Sequence, residues 1–418
     1  MPKSLRDWLV HLESLHPKTI AMGLERVAEI KQRLQLNPSF PLIVVAGTNG
    51  KGSVCAMLEA MLHAAGYRVA CYTSPHLLHY NERVRIAKQA VTDAELCDSF
   101  ERIEQVRGDV PLTYFEFGTL AAMQCFISHK VEVAILEVGL GGRLDAVNVF
   151  DSDCAVVTSI DIDHADYLGD TREKIAYEKA GIFRPDKVAI FGDADMPMAI
   201  TGQALKVGAQ LRCLGKQFSF KAGDLQWDFQ GISKRSSLPF PALRGAYQLN
   251  NASTVLAVLE AMNEALPVSM AAVRRGLMEV ELAGRFQVLP GKPITIFDVA
   301  HNPHAARALA RTLASMPASP KTYAVCAMLK DKDRAGVVRE LIWQVDVWLV
   351  AGIAAPRGAS SQEMATVVQQ ELMEGEVHTF DTVTEALHHA YKAAGDNDRI
   401  VAFGSFYTVA EAMRAKPA

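Results

Sequence analysis

The chain has 418 residues, of which 50% are hydrophobic and 22% are charged, and its formal net charge is −4. A slightly acidic chain lacks the basic surface that nucleic acid or anionic lipid requires, so we expect neither as a partner. No apolar stretch approaches the ~20 residues that span a bilayer, and the first residues lack the apolar core of a signal peptide, which predicts a cytoplasmic protein. The length favours two domains.

The first two thirds of the chain alternate between predicted helices and buried strands. Apolar spacing predicts two helices within residues 5–35, broken at Pro17, and then a buried parallel strand at 41–46. Helices are also predicted at 53–65, 93–107 and 116–129, and strands at 67–72, 133–138, 154–160 and 188–191. Residues 216–240 alternate in the manner of a small antiparallel hairpin, and a helix is predicted at 251–265.

A stretch with glycine and proline at residues 283–292 predicts a domain boundary, which divides the chain into residues 1–283 and 284–418. Beyond it, strands are predicted near 294–298, 322–327, 346–351 and 399–403, and helices near 303–315, 334–344, 361–374, 384–394 and 406–414. Strands that alternate with helices predict an α/β fold. We therefore expect a P-loop-containing doubly wound sheet domain, followed by a smaller Rossmann-like C-terminal α/β domain.

A glycine-rich loop separates the first predicted strand from the helix that follows it. Its residues are Gly47, Thr48, Asn49, Gly50, Lys51, Gly52 and Ser53. Glycines let successive backbone N–H groups turn toward one anion at a helix N-terminus. Lys51 adds a charge for the β- and γ-phosphates, and Ser53 offers a hydroxyl to Mg²⁺. The alternative is a glycine-rich turn capped by Ser53. Because Gly52 separates the lysine from the serine, the loop predicts a variant of the usual ATP-binding motif.

Three further residues suggest metal chemistry at the carboxyl edge of the same sheet. Glu137 ends a buried strand, where a carboxylate suits Mg²⁺, although it could also be a solvated glutamate. His164 follows another strand end; alone it would be a structural histidine, but its position at this edge favours a functional one. Lys179 precedes a glycine at the end of a helical stretch, and pattern alone predicts a surface lysine there.

These motifs together resemble the folylpolyglutamate synthase/dihydrofolate synthase family, within the Mur-ligase-like amide ligases. The matching segments run in order through residues 48–53, 74–77, 81–86, 113–117, 137–145, 163–169, 178–182, 248–252, 284–286, 298–303 and 404–407. They extend over nearly the whole chain. The resemblance implies an ATP-dependent ligase that phosphorylates a substrate carboxylate, so that the amino group of L-glutamate can attack the acyl phosphate.

The resemblance also assigns the metal sites and the catalytic residues. Ser53 and Glu137 would bind one Mg²⁺, whereas His164 and a carbamylated Lys179 would hold a second metal. A monovalent cation is a further expected cofactor. The implied catalytic residues are Lys51, His164, Lys179 and His301.

The implied ATP contacts beyond the loop are Asn251, Arg285 and Asp298, which by pattern alone could be a buried amide, a surface arginine and an N-cap aspartate. Arg285 opens the second domain, so domain closure would bring its charge to the phosphates. His301 and Ser405 would lie near the glutamate pocket.

For a pterin-bearing substrate, the resemblance points to three short segments. Their residues are Thr19, Ile20 and Ala21, then Phe115 and Glu116, then Arg143, Leu144 and Asp145. An aromatic ring beside a carboxylate suits a flat ring with N–H donors. Ala21 stands where relatives often have aspartate, so a backbone contact is expected there. The implied partners are dihydropteroate, reduced folates, L-glutamate and ATP, bound by a monomer.

Two alternatives share parts of this pattern. A Mur-type ligase that adds an amino acid to a UDP-muramyl precursor would use the same nucleotide loop, but gives no reason for the segments at residues 74–77 and 113–116. A nucleotide-dependent switch that hydrolyses little ATP would be expected to lack the metal residues, which are present here.

Overall fold

The computed structural model describes residues 2–16, 21–372 and 375–415. Contacts between residues divide the chain into two compact units. One unit comprises Met1–Ala242 and Leu249–Val280, and the other comprises Leu243–Gln248 and Glu281–Ala418. Each unit contains a mostly parallel sheet of its own.

The part of the chain up to residue 280 contains alternating helices and strands. The helices are α1 Leu5–Ser14, α2 Glu25–Arg33, α3 Lys51–Ala64, α4 Asp93–Arg107, α5 Tyr114–Ser128, α6 Ala165–Leu168, α7 Arg172–Lys179, α8 Met198–Val207, α9 Gln248–Ala261 and α10 Met270–Glu279. The strands are β1 Leu42–Ala46, β2 Val69–Tyr72, β3 Val84–Ile86, β4 Gln89–Ala90, β5 Val133–Glu137, β6 Cys154–Val157, β7 Val188–Phe191, β8 Gln210–Cys213, β9 Ser219–Ala222, β10 Gln226–Gln230 and β11 Lys234–Pro239.

The main sheet of this unit has the strand order β4-β3-β2-β5-β1-β6-β7-β8. Six neighbouring strands of this sheet are parallel to one another: β2, β5, β1, β6, β7 and β8. Strands β3 and β4 add an antiparallel edge next to β2. The central strands β1, β5 and β6 are buried along their whole length, as expected for strands covered on both faces. Their carboxyl ends therefore meet at one edge, where such sheets bind ligands.

The hairpin predicted at residues 216–240 is an antiparallel sheet with the order β11-β10-β9. Trp227, Phe229 and Leu238 are buried on it, which accounts for the alternating pattern of the sequence. The register between β10 and β11 shifts between Trp227 and Phe229.

The remaining part of the chain forms the second α/β sheet. Its strands are β12 Gln287–Leu289, β13 Ile294–Asp298, β14 Thr322–Cys326, β15 Val347–Ala351, β16 Glu376–Phe380 and β17 Arg399–Phe403. Its helices are α11 Pro303–Ala314, α12 Arg334–Leu341, α13 Ser361–Glu371, α14 Val383–Ala393 and α15 Phe406–Ala415. The order is β12-β13-β17-β14-β15-β16, with β12 antiparallel to β13 and the other neighbours parallel.

The predicted fold class, a doubly wound sheet domain with a second α/β domain, is confirmed. Strands β3, β4, β8, β12 and β16 and helices α6, α8 and α10 were not predicted. These strands lie at a sheet edge or next to one, and they are short or partly exposed, so none presents a continuous apolar run. Part of the predicted turn around Pro17 lies outside the described residues. Among the described helices, none is long and apolar enough to cross a membrane.

Candidate functional site

The glycine-rich loop connects β1 to α3 at the carboxyl edge of the first sheet. Gly47 and Gly50 adopt φ angles of +146° and +87°, which L side chains rarely adopt. The first intrahelical bond runs from the Val54 N–H to the Gly50 carbonyl. The N–H groups of residues 51–53 therefore belong to the helix end that attracts anions.

The segment that follows β6 holds this loop on one side. The Thr48 N–H donates to the Ser159 carbonyl at 2.7 Å, and the Thr48 hydroxyl donates to the Asp161 carbonyl at 3.0 Å. The Thr158 hydroxyl donates to the Asn49 carbonyl at 2.6 Å. These bonds fix the loop before any ligand binds, which is the pre-organisation that a phosphate site needs.

Two lysines reach the same point of the loop. Lys51 Nζ donates to the carbonyl oxygens of Gly47 and Thr48, at 2.9 and 3.2 Å. Lys179 Nζ donates to the Gly47 carbonyl at 2.9 Å. Lys179 is only 5% exposed, so the alternative of a surface lysine at a helix end is wrong. The amino groups of two lysines thus converge beside the anion-binding end of α3.

Gly47 leaves less room for a side chain than Gly50 does. A Cβ there would overlap the Thr158 hydroxyl, and the φ angle is one that alanine strains to adopt. We expect Gly47→Ala to lower the free energy of unfolding by about 2–4 kcal/mol, measured as the midpoint of urea denaturation. The matched control is Gly202→Ala, since nothing lies within 4 Å of a Cβ at that position. An unchanged midpoint for Gly47→Ala would contradict the strained geometry.

Glu137 is the last residue of β5 and lies opposite Val45 of β1. Its carboxylate is 5% exposed, so the solvated-glutamate alternative is wrong, and Oε2 accepts the Ser74 N–H at 3.1 Å. Ser53, in the first turn of α3, is also buried. Within residues 2–16, 21–372 and 375–415, no group of three or more His, Cys, Asp or Glu side chains could hold a metal. The donors here fit Mg²⁺, which uses one or two carboxylates together with substrate phosphates and water.

His164 begins the short helix α6 in the left-handed conformation, with φ +53°. Its N–H donates to Asp163 Oδ1 at 2.8 Å, and its Nε2 lies 3.9 Å from Asp163 Oδ2. A positive φ is uncommon at residues other than glycine, although histidine adopts it more often than most. Asp161, three residues earlier, bonds Thr48, so His164 belongs to the segment that holds the nucleotide loop.

The segment Gly139 to Asp145 packs against the helix end that carries Lys179. A Cβ on Gly142 would lie 2.8 Å from the Lys179 carbonyl oxygen, so only glycine allows this approach. The Arg143 N–H donates to the Glu178 carbonyl at 2.8 Å, and its guanidinium pairs with the Glu178 carboxylate at 2.9 Å. Two motifs that are well separated in the sequence thus form one substructure.

Of the segments predicted to bind the pterin, Thr19 and Ile20 lie outside the described residues. Phe115 packs its ring against Gly139, where a Cβ would come within 2.8 Å, and its centroid is 5.8 Å from that of Tyr72. The Leu144 carbonyl accepts the Gly23 N–H at 3.5 Å. Phe115 and the segment 139–145 therefore lie side by side, as the predicted ring pocket requires.

Glu116 already has partners within the protein. Its Oε2 accepts the Thr113 N–H at 2.7 Å in a capping box, and Arg26 donates to Oε1 at 2.9 Å. Arg26 also donates to the Ala21 carbonyl at 2.9 Å. Arg26, which sequence reasoning missed, thus ties the predicted contact segment at Ala21 to the start of α5. The pair is 90 residues apart in the chain, so no local signal could have revealed it.

Asp145 is buried and accepts the N–H groups of Leu140 and Val147, at 2.8 and 3.1 Å. Burial raises its pKa to about 7, although these backbone donors and the charge of Lys51 favour the ionised form. The carboxyl group is therefore poised between its two protonation states near neutral pH.

The raised pKa of Asp145 has a consequence for stability. Between pH 4 and about 7 the folded state keeps a proton that the unfolded state releases, so the free energy of unfolding should fall by up to about 4 kcal/mol as the pH rises. Above pH 7 this contribution should be lost. The urea midpoint of Asp145→Asn should therefore differ less between pH 5 and pH 8 than the midpoint of the wild type does. An unchanged difference would contradict the burial effect.

Asn251 lies on α9, and its Oδ1 would be 2.7 Å from a Cβ on Gly50. It is 7% exposed. The buried-amide interpretation therefore holds, and the amide also borders the nucleotide loop.

The predicted residues of the second unit lie close together within it. Asp298 ends β13, is buried, and accepts the N–H groups of Phe286 and Ala300, both at 2.7 Å. It is not an N-cap, because Asn302 caps α11. Burial raises the pKa of Asp298, whereas the Arg285 charge favours ionisation. The Arg285 guanidinium lies 5.1 Å from the centre of the Phe406 ring.

His301 lies beside the same ring, and Ser405 immediately precedes Phe406 in the chain. His301 Nδ1 donates to the Val299 carbonyl at 2.7 Å, and the centroid of its ring is 6.5 Å from that of Phe406. Ser405 is buried, and its hydroxyl accepts the Thr408 N–H at 3.0 Å at the start of α15. The Ser405 hydroxyl thus caps the start of α15, in addition to any contact with substrate.

Comparison with known proteins identifies the family. Residues 45–259 match the Mur ligase middle domain and residues 284–406 match the Mur ligase, glutamate ligase domain. The chain is 45% identical to the dihydrofolate synthase/folylpolyglutamate synthase of Escherichia coli strain K12, over 98% of this chain and 94% of that protein.

Two solved structures are similar to the whole chain. E. coli FolC in complex with DHPP and ADP has a TM-score of 0.94 and 44% identity, and the match covers 99% of this chain and 97% of that one. A bifunctional folylpolyglutamate synthase/dihydrofolate synthase with Mn, AMPPNP and L-glutamate bound has a TM-score of 0.92 and 47% identity, with coverage of 99% and 98%. These matches do not favour the UDP-muramyl alternative, and they argue against a switch. The chain belongs to the dihydrofolate synthase/folylpolyglutamate synthase family, whose members are ATP-dependent ligases that form carbon–nitrogen bonds.

Proposed function

We propose that this chain adds L-glutamate to 7,8-dihydropteroate and to the γ-carboxyl group of reduced folates, with conversion of ATP to ADP and phosphate. The observation that carries the proposal is the pre-organised loop between β1 and α3, where Lys51 and Lys179 meet at the Gly47 carbonyl. It occurs in a chain that matches the bifunctional E. coli enzyme along almost its whole length.

The reaction has two steps. A carboxylate oxygen of the folate substrate attacks the γ-phosphorus, the bond to ADP breaks, and an acyl phosphate forms. The glutamate amino group then attacks the acyl carbon, phosphate leaves, and the nitrogen loses a proton. Phosphoryl transfer depends on positioning and on neutralising charge, which is the role we assign to Lys51 and the N–H groups of residues 50–53.

A divalent cation, when bound, neutralises charge on the phosphates. We propose that this cation is Mg²⁺ and that Ser53 and Glu137 are its ligands. His164 and Lys179 would hold a second metal. Lys179 would serve as an anion there, which requires its amine to add to carbon dioxide and release a proton. A monovalent cation is the remaining cofactor that we propose.

Substrate contacts follow from the same placement. Phe115 and the residues Arg143, Leu144 and Asp145 would hold the pterin ring, with Glu116 and the segment at residues 19–21 at its border. Asn251, Arg285 and Asp298 would contact ATP, and His301 and Ser405 would contact glutamate. We place the reaction in the cytoplasm and the protein as a monomer, with residues 1–283 and 284–418 as its domains.

A coupled assay of phosphate release tests the function. Dihydropteroate, tetrahydrofolate and 10-formyl-tetrahydrofolate should each support release only when L-glutamate is present, and mass spectrometry should detect one added glutamate. If dihydropteroate is the one folate substrate that supports release, the proposal holds for the addition of glutamate to dihydropteroate but not for its addition to reduced folates. Release with a UDP-muramyl substrate, and with none of the folates, would overturn it.

A further inference from the structure

The nucleotide-loop helix α3 carries a buried carboxylate that the proposed mechanism does not use. The side chain of Glu59 is 6% exposed. A carboxylate at that depth requires a partner that satisfies its charge and its lone pairs. Arg85 of β3 is this partner: its Nη2 donates to Oε2 at 2.8 Å, and its Nε lies 3.1 Å from both oxygens.

The other end of the Arg85 guanidinium is also occupied. Its Nη1 donates to the Thr73 hydroxyl at 3.1 Å and to the Glu82 carbonyl at 2.7 Å. A guanidinium is a rigid planar fork, so its contact with Glu59 also fixes where Nη1 lies. The Thr73 N–H donates to the Arg83 carbonyl at 2.9 Å, which anchors Thr73 a second time.

Thr73 precedes the residue that contacts the predicted metal ligand. The Ser74 N–H donates to Glu137 Oε2 at 3.1 Å. Because the Ser74 N–H is in the planar peptide unit that begins at the Thr73 carbonyl, anchoring Thr73 through its N–H and its hydroxyl leaves this N–H only the rotation about ψ of Thr73. Hydrogen bonds from Glu59 of α3 through Arg85 to Thr73, and one peptide bond from Thr73 to Ser74, therefore connect α3 to the Glu137 carboxylate.

We propose that Arg85 is a positioning residue, which acts through Thr73 and the Ser74 N–H to orient the Glu137 carboxylate for the divalent cation. The inference rests on the proposed function only in taking Glu137 as a metal ligand. Partners that orient a ligating group commonly change metal affinity by about 10- to 100-fold. An arginine is needed because a lysine ammonium cannot bridge Glu59, Thr73 and Glu82 in one plane.

A purely structural role would also explain a buried ion pair, so the test has to measure metal binding as well as stability. The probe is Mn²⁺ in the presence of AMPPNP, with free Mn²⁺ measured by electron paramagnetic resonance. We expect Arg85→Lys to raise the dissociation constant of Mn²⁺ by about 10-fold. Thr73→Val keeps the ion pair but removes the link to Nη1, and should raise the constant by about 5-fold.

Arg107→Lys is the matched control. Arg107 pairs with Glu104 through Nε and Nη2, at 2.7 and 2.6 Å, and its Nη1 donates to the carbonyls of Gly108 and Val110. It therefore has a similar two-point pairing with a glutamate at the end of α4, and these bonds do not involve Thr73, Ser74 or Glu137. We expect its Mn²⁺ dissociation constant to stay within about twofold of the wild-type value.

The outcomes separate the two roles. If Arg85→Lys and Thr73→Val both bind Mn²⁺ as the wild type does, with only the melting temperature lowered, the pair is structural and the proposal is wrong. Equal weakening in Arg107→Lys would also overturn it, as would a wild-type protein that binds no Mn²⁺ with AMPPNP. If Arg85→Lys does not fold, Thr73→Val decides. The assay contains neither folate nor glutamate, so its result is independent of whether the proposed ligase reaction occurs.

Discussion

Lys51→Met should lower kcat/KM for glutamate ligation by about 10³-fold, which is the order expected when a cation is removed from a phosphoryl-transfer site. Methionine keeps the apolar stem but loses the ammonium group that donates to the carbonyls of Gly47 and Thr48. The loop itself should persist, because Thr48 is also bonded to Ser159 and Asp161. Steady-state phosphate release with dihydropteroate and glutamate measures the effect.

Lys31→Met is a suitable control for this variant. Lys31 Nζ also donates to a backbone carbonyl, that of Val149 at 2.9 Å, and it lies 5.0 Å from the centre of the Phe150 ring. It is on α2, away from the nucleotide loop in sequence and in hydrogen bonding. We expect its ligase rate to stay within about twofold of the wild-type rate. A Lys51→Met protein that ligates glutamate within about twofold of the wild-type rate would contradict the assignment of this loop to the ATP phosphates.

Lys179→Ala should lower the ligase rate by about 10²- to 10³-fold, with a small change in the binding of nucleotide alone. The side chain is buried and reaches the Gly47 carbonyl at 2.9 Å, so truncation leaves a space beside the loop. If the residue acts as a carbamate, a small carboxylate such as formate should restore part of the rate by occupying that space. The measurement is the rate as a function of formate concentration.

Lys174→Ala provides the control on the same helix, because Lys174 is 63% exposed and pairs with Asp170. Its rate should match the wild type both with and without formate. A carbamate on Lys179 should also appear as an enriched carbon signal after incubation with ¹³C-bicarbonate. Absence of both this signal and the formate effect would eliminate the carbamate, while a wild-type rate for Lys179→Ala would exclude the residue from the site.

Hydrophobic pattern predicted most central elements of both sheets. Strands such as Leu42–Ala46 and Val347–Ala351 are buried along their whole length, so their sequences are continuous apolar runs. The edge strand Glu376–Phe380 has one neighbouring strand and is partly exposed, so its sequence has no such run. An edge strand of this kind is missed because its burial depends on the neighbouring strand and not on its own sequence.

Motif reasoning located the nucleotide loop because its chemistry is local. Glycines with positive φ, a lysine and a serine occur within seven consecutive residues, between a strand and a helix. The position of Lys179 shows the limit of that reasoning. Its pattern suggested a surface residue, whereas packing of Gly142 against its backbone places it in the interior.

The sequence alone determined the α/β class, the nucleotide loop and, through its collinear motifs, the ligase family. Only the tertiary structure decided that Lys51 and Lys179 share the Gly47 carbonyl, that Arg26 joins Ala21 to Glu116, and that Arg85 joins Glu59 to Thr73. The physical reason is the range of the interactions. Periodic burial and turn geometry act over a few neighbouring residues, whereas a buried charge is satisfied by whichever donor the folded chain brings within about 3 Å.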